Sequence, residues 1–104
     1  SITASVGTGA AKIDLCGLEL AVTNGDNAIA SCGSLTLEVI SGPMEVHLGG
    51  ADYVIVPSGV TAKISKISDQ TFTIENQSGS GMVVVHVADQ VLDVKPGEKV
   101  EVEV

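Results

Sequence analysis

His47 and His86 are the chain's two histidines, and an aspartate follows each within a few residues, as HLGGAD over 47–52 and HVAD over 86–89. Two imidazoles and two carboxylates could serve a metal ion or proton transfer, provided the fold brings them together. Cys16 and Cys32, in the similar settings LCG and SCG, would raise the set of zinc ligands to four. No C-x-x-C or H-x-x-x-H spacing draws these groups together. In MEVHL (44–48), alternation puts His47 on the same outward side as Glu45, which predicts a solvent-facing or interface histidine. The sequence therefore predicts no catalytic residue, no metal site and no cofactor.

Other chemical candidates are weaker. Asn24, Asp26 and Asn27 could offer oxygens to calcium, but no bidentate glutamate follows at EF-hand spacing. The glycines of SGSG (78–81) precede neither a lysine nor a helix, so a mobile hairpin loop is expected there rather than a phosphate cradle. Ser58 lacks the G-x-S-x-G context of a nucleophile elbow. Asp14, Glu19, Glu38 and Glu45 stand singly at outward positions and read as solvating charges. The cysteines leave two readings open. They are small buried thiols behaving as apolar residues, or they form one bond if their strands are neighbours. Neither has a nearby base in sequence to make it reactive.

The elements that would carry these residues are strands. Alternation is clear in ITASV (2–6), LELAV (18–22), LTLEVI (35–40), MEVHL (44–48), VTAKI (60–64), TFTIE (71–75) and KVEVEV (99–104). YVIV (53–56) and MVVVHV (82–87) are apolar on both sides. Gly49-Gly50, Ser78–Gly81, Pro57-Ser58-Gly59 and Lys95-Pro96-Gly97 break the runs, and Asn24-Gly25 predicts a type I′ hairpin. No amphipathic helix is visible. The expected fold is all-β, with about ten short strands in an antiparallel sandwich, a jelly-roll-like arrangement or a small barrel. Its 104 residues predict one domain, with residues 1–11 a flexible or pairing N-terminal arm.

One cadence recurs. VPSGVTAKI (56–64) is echoed by VKPGEKVEV (94–102), and more weakly by VTNGDNAIA (22–30). Residues 44–64 overlay 82–102 without a gap, so that Met44 meets Met82, Val46 meets Val84 and Gly59 meets Gly97. This predicts a strand–turn–strand unit used two or three times, with one face kept toward the core. The PSG and KPG turns resemble the P-x-G turn of cupins. No histidine follows either turn and the H-x-H pair is missing, so the resemblance implies jelly-roll-like architecture, with a cupin-like enzyme as a minor alternative.

Composition narrows the partners. Thirteen acids face five lysines, and the formal charge of −8 repels phosphate backbones, so no nucleic-acid binding is expected. The longest apolar run, MVVVHVA (82–88), falls well below the ~20 residues of a membrane span, so no membrane insertion is expected. With one Phe, one Tyr and no Trp, the chain lacks an aromatic-lined pocket. Ser1 fits removal of an initiator methionine, cleavage of a leader or an artificial start.

Strands apolar on both sides must be covered on both, which a small domain rarely manages alone. Tyr53, Val54, Ile55, Met82 and Val84 are thus the expected interface residues. The chain is expected to be a non-enzymatic structural assembly protein, a homo-oligomer within a larger protein assembly. In size, acidity and β-content it is similar to the head-decoration or cement proteins of tailed phages, which implies a virion setting. The alternative is an extracellular cell-surface or ligand-binding β-module, which predicts a Cys16–Cys32 bond.

Overall fold

Alternating small aliphatic residues separated by Gly- and Pro-rich turns yield twelve strands in the computed structural model, which describes every residue from Ser1 to Val104. They are β1 (Ile2–Ser5), β2 (Ala10–Leu15), β3 (Leu18–Thr23), β4 (Asn27–Ser31), β5 (Leu35–Ser41) and β6 (Met44–Gly49). β7 (Asp52–Val56), β8 (Thr61–Lys66), β9 (Thr71–Ser78), β10 (Val83–Val87), β11 (Gln90–Val94) and β12 (Lys99–Glu103) follow. All pair antiparallel in two sheets of six that pack as a sandwich. Sheet I has the order β1-β4-β5-β8-β9-β12, and sheet II the order β11-β10-β7-β6-β3-β2.

Each sheet is filled in chain order. Hairpins β2–β3, β6–β7 and β10–β11 build sheet II, and hairpins β4–β5 and β8–β9 build sheet I. The chain therefore crosses between sheets after every hairpin and advances along both. No strand returns to lie beside a remote earlier one, as a Greek key requires. The sandwich is realised among the expected alternatives, without jelly-roll connectivity.

The repeated cadence is this crossing. β3→β4, β7→β8 and β11→β12 each leave sheet II and enter sheet I through a turn with glycine at its third position. Gly25, Gly59 and Gly97 have φ of 93°, 81° and 85°, a left-handed conformation that type II turns demand at that place. The closing hydrogen bonds are equivalent: Asp26 N donates to Thr23 O at 3.0 Å, Val60 N to Pro57 O at 3.3 Å and Glu98 N to Lys95 O at 2.9 Å. Even the acid after the glycine recurs, since Asp26 Oδ2 accepts from Thr23 N and Glu98 Oε1 from Lys95 N. Asn24-Gly25 is thus a corner between sheets and not the expected hairpin. Its flanking strands face a common core from opposite sides, so they cannot pair with each other.

The phase of the repeat needs a correction before its turns. Met44, Val46 and Leu48 point inward, whereas in the overlaid segment Val83 and Val85 do so and Met82 is 45% exposed. The apolar run over 82–85 has no alternation to fix its phase, so the gapless overlay misplaces it by one residue. Within the N-terminal residues, β1 pairs with β4 from Ile2↔Ala30 to Ser5↔Asn27, and Ala10–Leu15 forms an edge strand of sheet II.

The core is a single cluster of 24 buried residues, almost all Val, Leu, Ile and Ala, with Phe72 its one aromatic. Such branched side chains suit a pleated surface and fill the gap between sheets with few rotamers to lose. Cys16, in the β2–β3 turn, is bonded to Cys32, in the β4–β5 turn, with Cα atoms 5.4 Å apart. That bond ties a hairpin tip of sheet II to one of sheet I.

Candidate functional site

Strand pairing in sheet II aligns the outward side chains in rows. One row runs Val91, His86, Tyr53, His47, Glu19, Asp14 across β11, β10, β7, β6, β3 and β2. The adjacent row runs Asp93, Val84, Ile55, Glu45, Ala21, Lys12. Both histidines and the only tyrosine of the chain therefore stand side by side on three neighbouring strands. The Tyr53 and His86 rings stack with centroids 4.4 Å apart and planes 12° apart, and the His47 ring lies 6.0 Å from Tyr53 at 36°. Nε2 of His47 is 3.3 Å from Oε1 of Glu45.

This geometry presents ring edges outward. The face of Tyr53 is covered by His86, so it offers no flat platform for a sugar. The imidazoles lie on either side of the tyrosine and do not converge on one point. No three of the His, Cys, Asp and Glu side chains come together as a metal ion would need. Asp52 Oδ1 accepts a hydrogen bond from Ala88 N at 3.0 Å, fixing the β10–β11 turn to the start of β7, so that aspartate positions backbone. Asp26 is occupied likewise by Thr23, through its N–H and its hydroxyl at 2.8 Å. Ser58 Oγ accepts from Gly42 N at 2.8 Å.

The expected interface residues divide. Tyr53, Ile55 and Val84 are half-buried among their neighbours on the outer face of sheet II, in contiguous positions of the two rows. Met82 precedes β10 with the same parity, and continuing the ladder sets it opposite Pro57 on that face. Val54 is the exception. It is fully buried between Val46 and Val85 on the inward side of sheet II and touches no solvent. Period 2 forces this, because Val54 lies between two outward residues. Alongside Ile55, a shallow hollow of about 120 Å³ is lined by Pro43, Ala21 and Glu45, extending the apolar surface.

The largest hollow, about 420 Å³, sits at the hairpin tips, where Lys12, Glu19, His47 and Lys66 line it with Leu48 and Phe72. The two unpaired buried polar atoms, Oδ1 of Asn27 and of Asn76, lie elsewhere. The edges of the sandwich are also available: β2 and β11 in sheet II, and β1 and β12 in sheet I, each have a neighbour on one side only.

Comparison with protein-family models, with curated proteins and with solved structures finds no match for this chain. The reading of the site rests on its own geometry. The row His47–Tyr53–His86 was hidden in the sequence because its members lie on three strands and only the register aligns them. The Gly49-Gly50 turn signals that His47 and Tyr53 lie on the two arms of one hairpin, but His47 is two residues before it and Tyr53 three after, and only the bulge between His47 and Gly49 sets them opposite.

Proposed function

We propose that this chain is a non-enzymatic assembly module that self-associates through the outer face of sheet II within a larger structure, in the manner of a subunit decorating a phage head. The observation that carries the reading is the contiguous surface of Tyr53, Ile55, Val84 and Met82, bordered by the two histidines and the 60%-exposed Val91. An outward sheet face on an acidic chain would ordinarily be polar, as is the sheet I row Thr36, Lys63, Glu75 and Lys99, although Ile29 and Ile40 stand singly exposed on that sheet. Aromatic, branched aliphatic and methionine side chains in one patch are the composition of interface cores.

The test is light scattering at micromolar concentration on the wild-type chain and on Ile55→Lys. The wild type should be larger than a monomer, and the variant should shift toward monomer while melting at a similar temperature. A wild-type chain that stays monomeric throughout would defeat the reading.

A second reading, an extracellular cell-surface β-module, is favoured by the Cys16–Cys32 bond. Disulfides persist outside the reducing cytosol, a setting that includes virion and cell surfaces alike. Mass spectrometry of protein from its native source, with and without reductant, tests it; free thiols in the untreated sample would remove its support.

A further inference from the structure

We propose that the two ends of the sandwich are complementary and that a second copy of this chain adds head to tail, with β11 and β12 of one copy beside β2 and β1 of the next. This rests on the assembly reading above but uses a different surface.

Strand direction is the first argument. Each sheet holds six antiparallel strands, an even number, so its two edges run in opposite directions. β11 is antiparallel to β2, and β12 to β1. A copy moved along the stack therefore meets antiparallel partners in both sheets at once. With an odd count in either sheet, one pairing would have been parallel.

Side chains supply the second argument. Lys12 and Asp93 end the same outward row, one at each edge of sheet II. Setting Asp93 opposite Lys12 of the next copy fixes the register: Leu92 then faces Ile13, and Val94 faces Ala11. These pairs point toward the core on both copies, since Leu92 pairs with buried Val85, Ile13 with buried Leu20 and Ala11 with buried Val22. Yet Leu92 is 36% exposed, Ile13 is half-buried and Ala11 is exposed, because the sandwich stops beside them. In sheet I, Ile2 is likewise 45% exposed although it pairs with buried Ala30. A neighbouring copy would cover all of them.

Slipped registers are worse. A shift of one residue turns apolar side chains outward. A shift of two sets Asp93 against Asp14, a like-charge pair, or against Ala10. Lys12 is free to re-pair, since its contact with Glu19 is 3.7 Å long and exposed to solvent. The net charge of −8 opposes association at low salt, and at 0.15 M the screening length of about 8 Å leaves the local Asp93–Lys12 attraction in control. Because the contact joins two different surfaces, a dimer leaves one end of each kind unpaired, and copies add in a row or close into a ring.

The experiment mixes equal amounts of an Asp14→Cys chain and a Val91→Cys chain, which face each other in this register and leave Lys12 and Asp93 in place, under mild oxidation at 0.15 M salt, with peptide mapping of the cross-linked dimers. The 14–91 product should exceed the random share relative to the 14–14 and 91–91 products. Asp93→Lys should weaken self-association roughly five-fold, and adding a Lys12→Asp chain should restore it. Cross-links at the random share, or dominated by 14–14 and 91–91, would overturn head-to-tail pairing. If light scattering still shows oligomers that Ile55→Lys disperses, the face reading survives that failure. If Asp93→Lys weakens association and Ile55→Lys does not, the ends pair and the face reading fails.

Discussion

Asn76 is the one polar residue in an otherwise apolar interior, and its amide nitrogen is fully hydrogen-bonded. It continues the inward alternation of Phe72 and Ile74 on β9 and is fully buried. Its Nδ2 donates to Gly81 O at 2.9 Å and to Val94 O at 3.0 Å, so a side chain from sheet I holds two backbone carbonyls at the margin of sheet II. Asn76→Ala would strand those carbonyls and open a small void. We expect a loss of about 2–3 kcal/mol, read as a fall in Tm of roughly 10–20 °C by calorimetry. Asn76→Leu should do no better, because the carbonyls would still lack donors. Gly79 gives a second expectation at this scale. Its φ is 110°, and a Cβ there would run into Gly59 O and the Cα of Val60. Gly79→Ala should cost more stability than Gly59→Ala, where φ is 81° but the added methyl meets nothing.

The crossing turns are the elements that make the fold. Gly59→Ala isolates their backbone demand, and we expect about 1–2 kcal/mol of destabilisation by denaturant titration. Gly59→Asn should cost less, since asparagine tolerates the left-handed region. A comparable cost from Gly97→Ala would mark the two turns as equivalent in energy as well as in geometry. The Cys16–Cys32 bond joins hairpin tips 16 residues apart in sequence. Reduction should lower unfolding free energy by about 3 kcal/mol, the loop-closure term for a loop of that size. A reduced protein with unchanged Tm would mean that the tips are held by packing alone. Much of this layer is legible in the sequence. Alternation marks β3, β5, β6, β8, β9 and β12 directly, and the recurring turns at Gly25, Gly59 and Gly97 mark where strands end, though not that the chain changes sheet there. β2 and β11 are harder to read. Gln90–Val94 exposes four of its five residues and Ala10–Leu15 all but two, so their core-facing residues, Leu92 and Val94 in β11 and Ala11, Ile13 and Leu15 in β2, make only a weakly buried stripe. Edge strands lack a second neighbour to bury against, and their pattern fades for that reason. The cysteine pairing was open because two thiols on separate hairpin tips meet only once both sheets are stacked.

For the whole molecule, the decisive contrast lies between adjacent inward and outward residues of β7 and β10. Two-faced apolar strands need cover on both sides, and one side is the protein's own core. Val54 belongs to that inner side, packed with no exposure, whereas Val84 is half-buried on the outer face opposite Ile55. A lysine at each site therefore tests different things. Val54→Lys drives an ammonium into an aliphatic interior with no acid beside it, and the protein should fail to fold or lose at least about 4 kcal/mol. Val84→Lys can reach water next to Asp93, its cross-strand neighbour, so Tm should move by only a few degrees. Its effect should appear instead in association, as a shift toward monomer by light scattering at matched concentration. If Val84→Lys left the assembly intact at native Tm, the outer face of sheet II would be an ordinary solvated surface, and cover for the exposed apolar side chains would have to come from the ends of the stack, where Leu92 and Ile2 lie open.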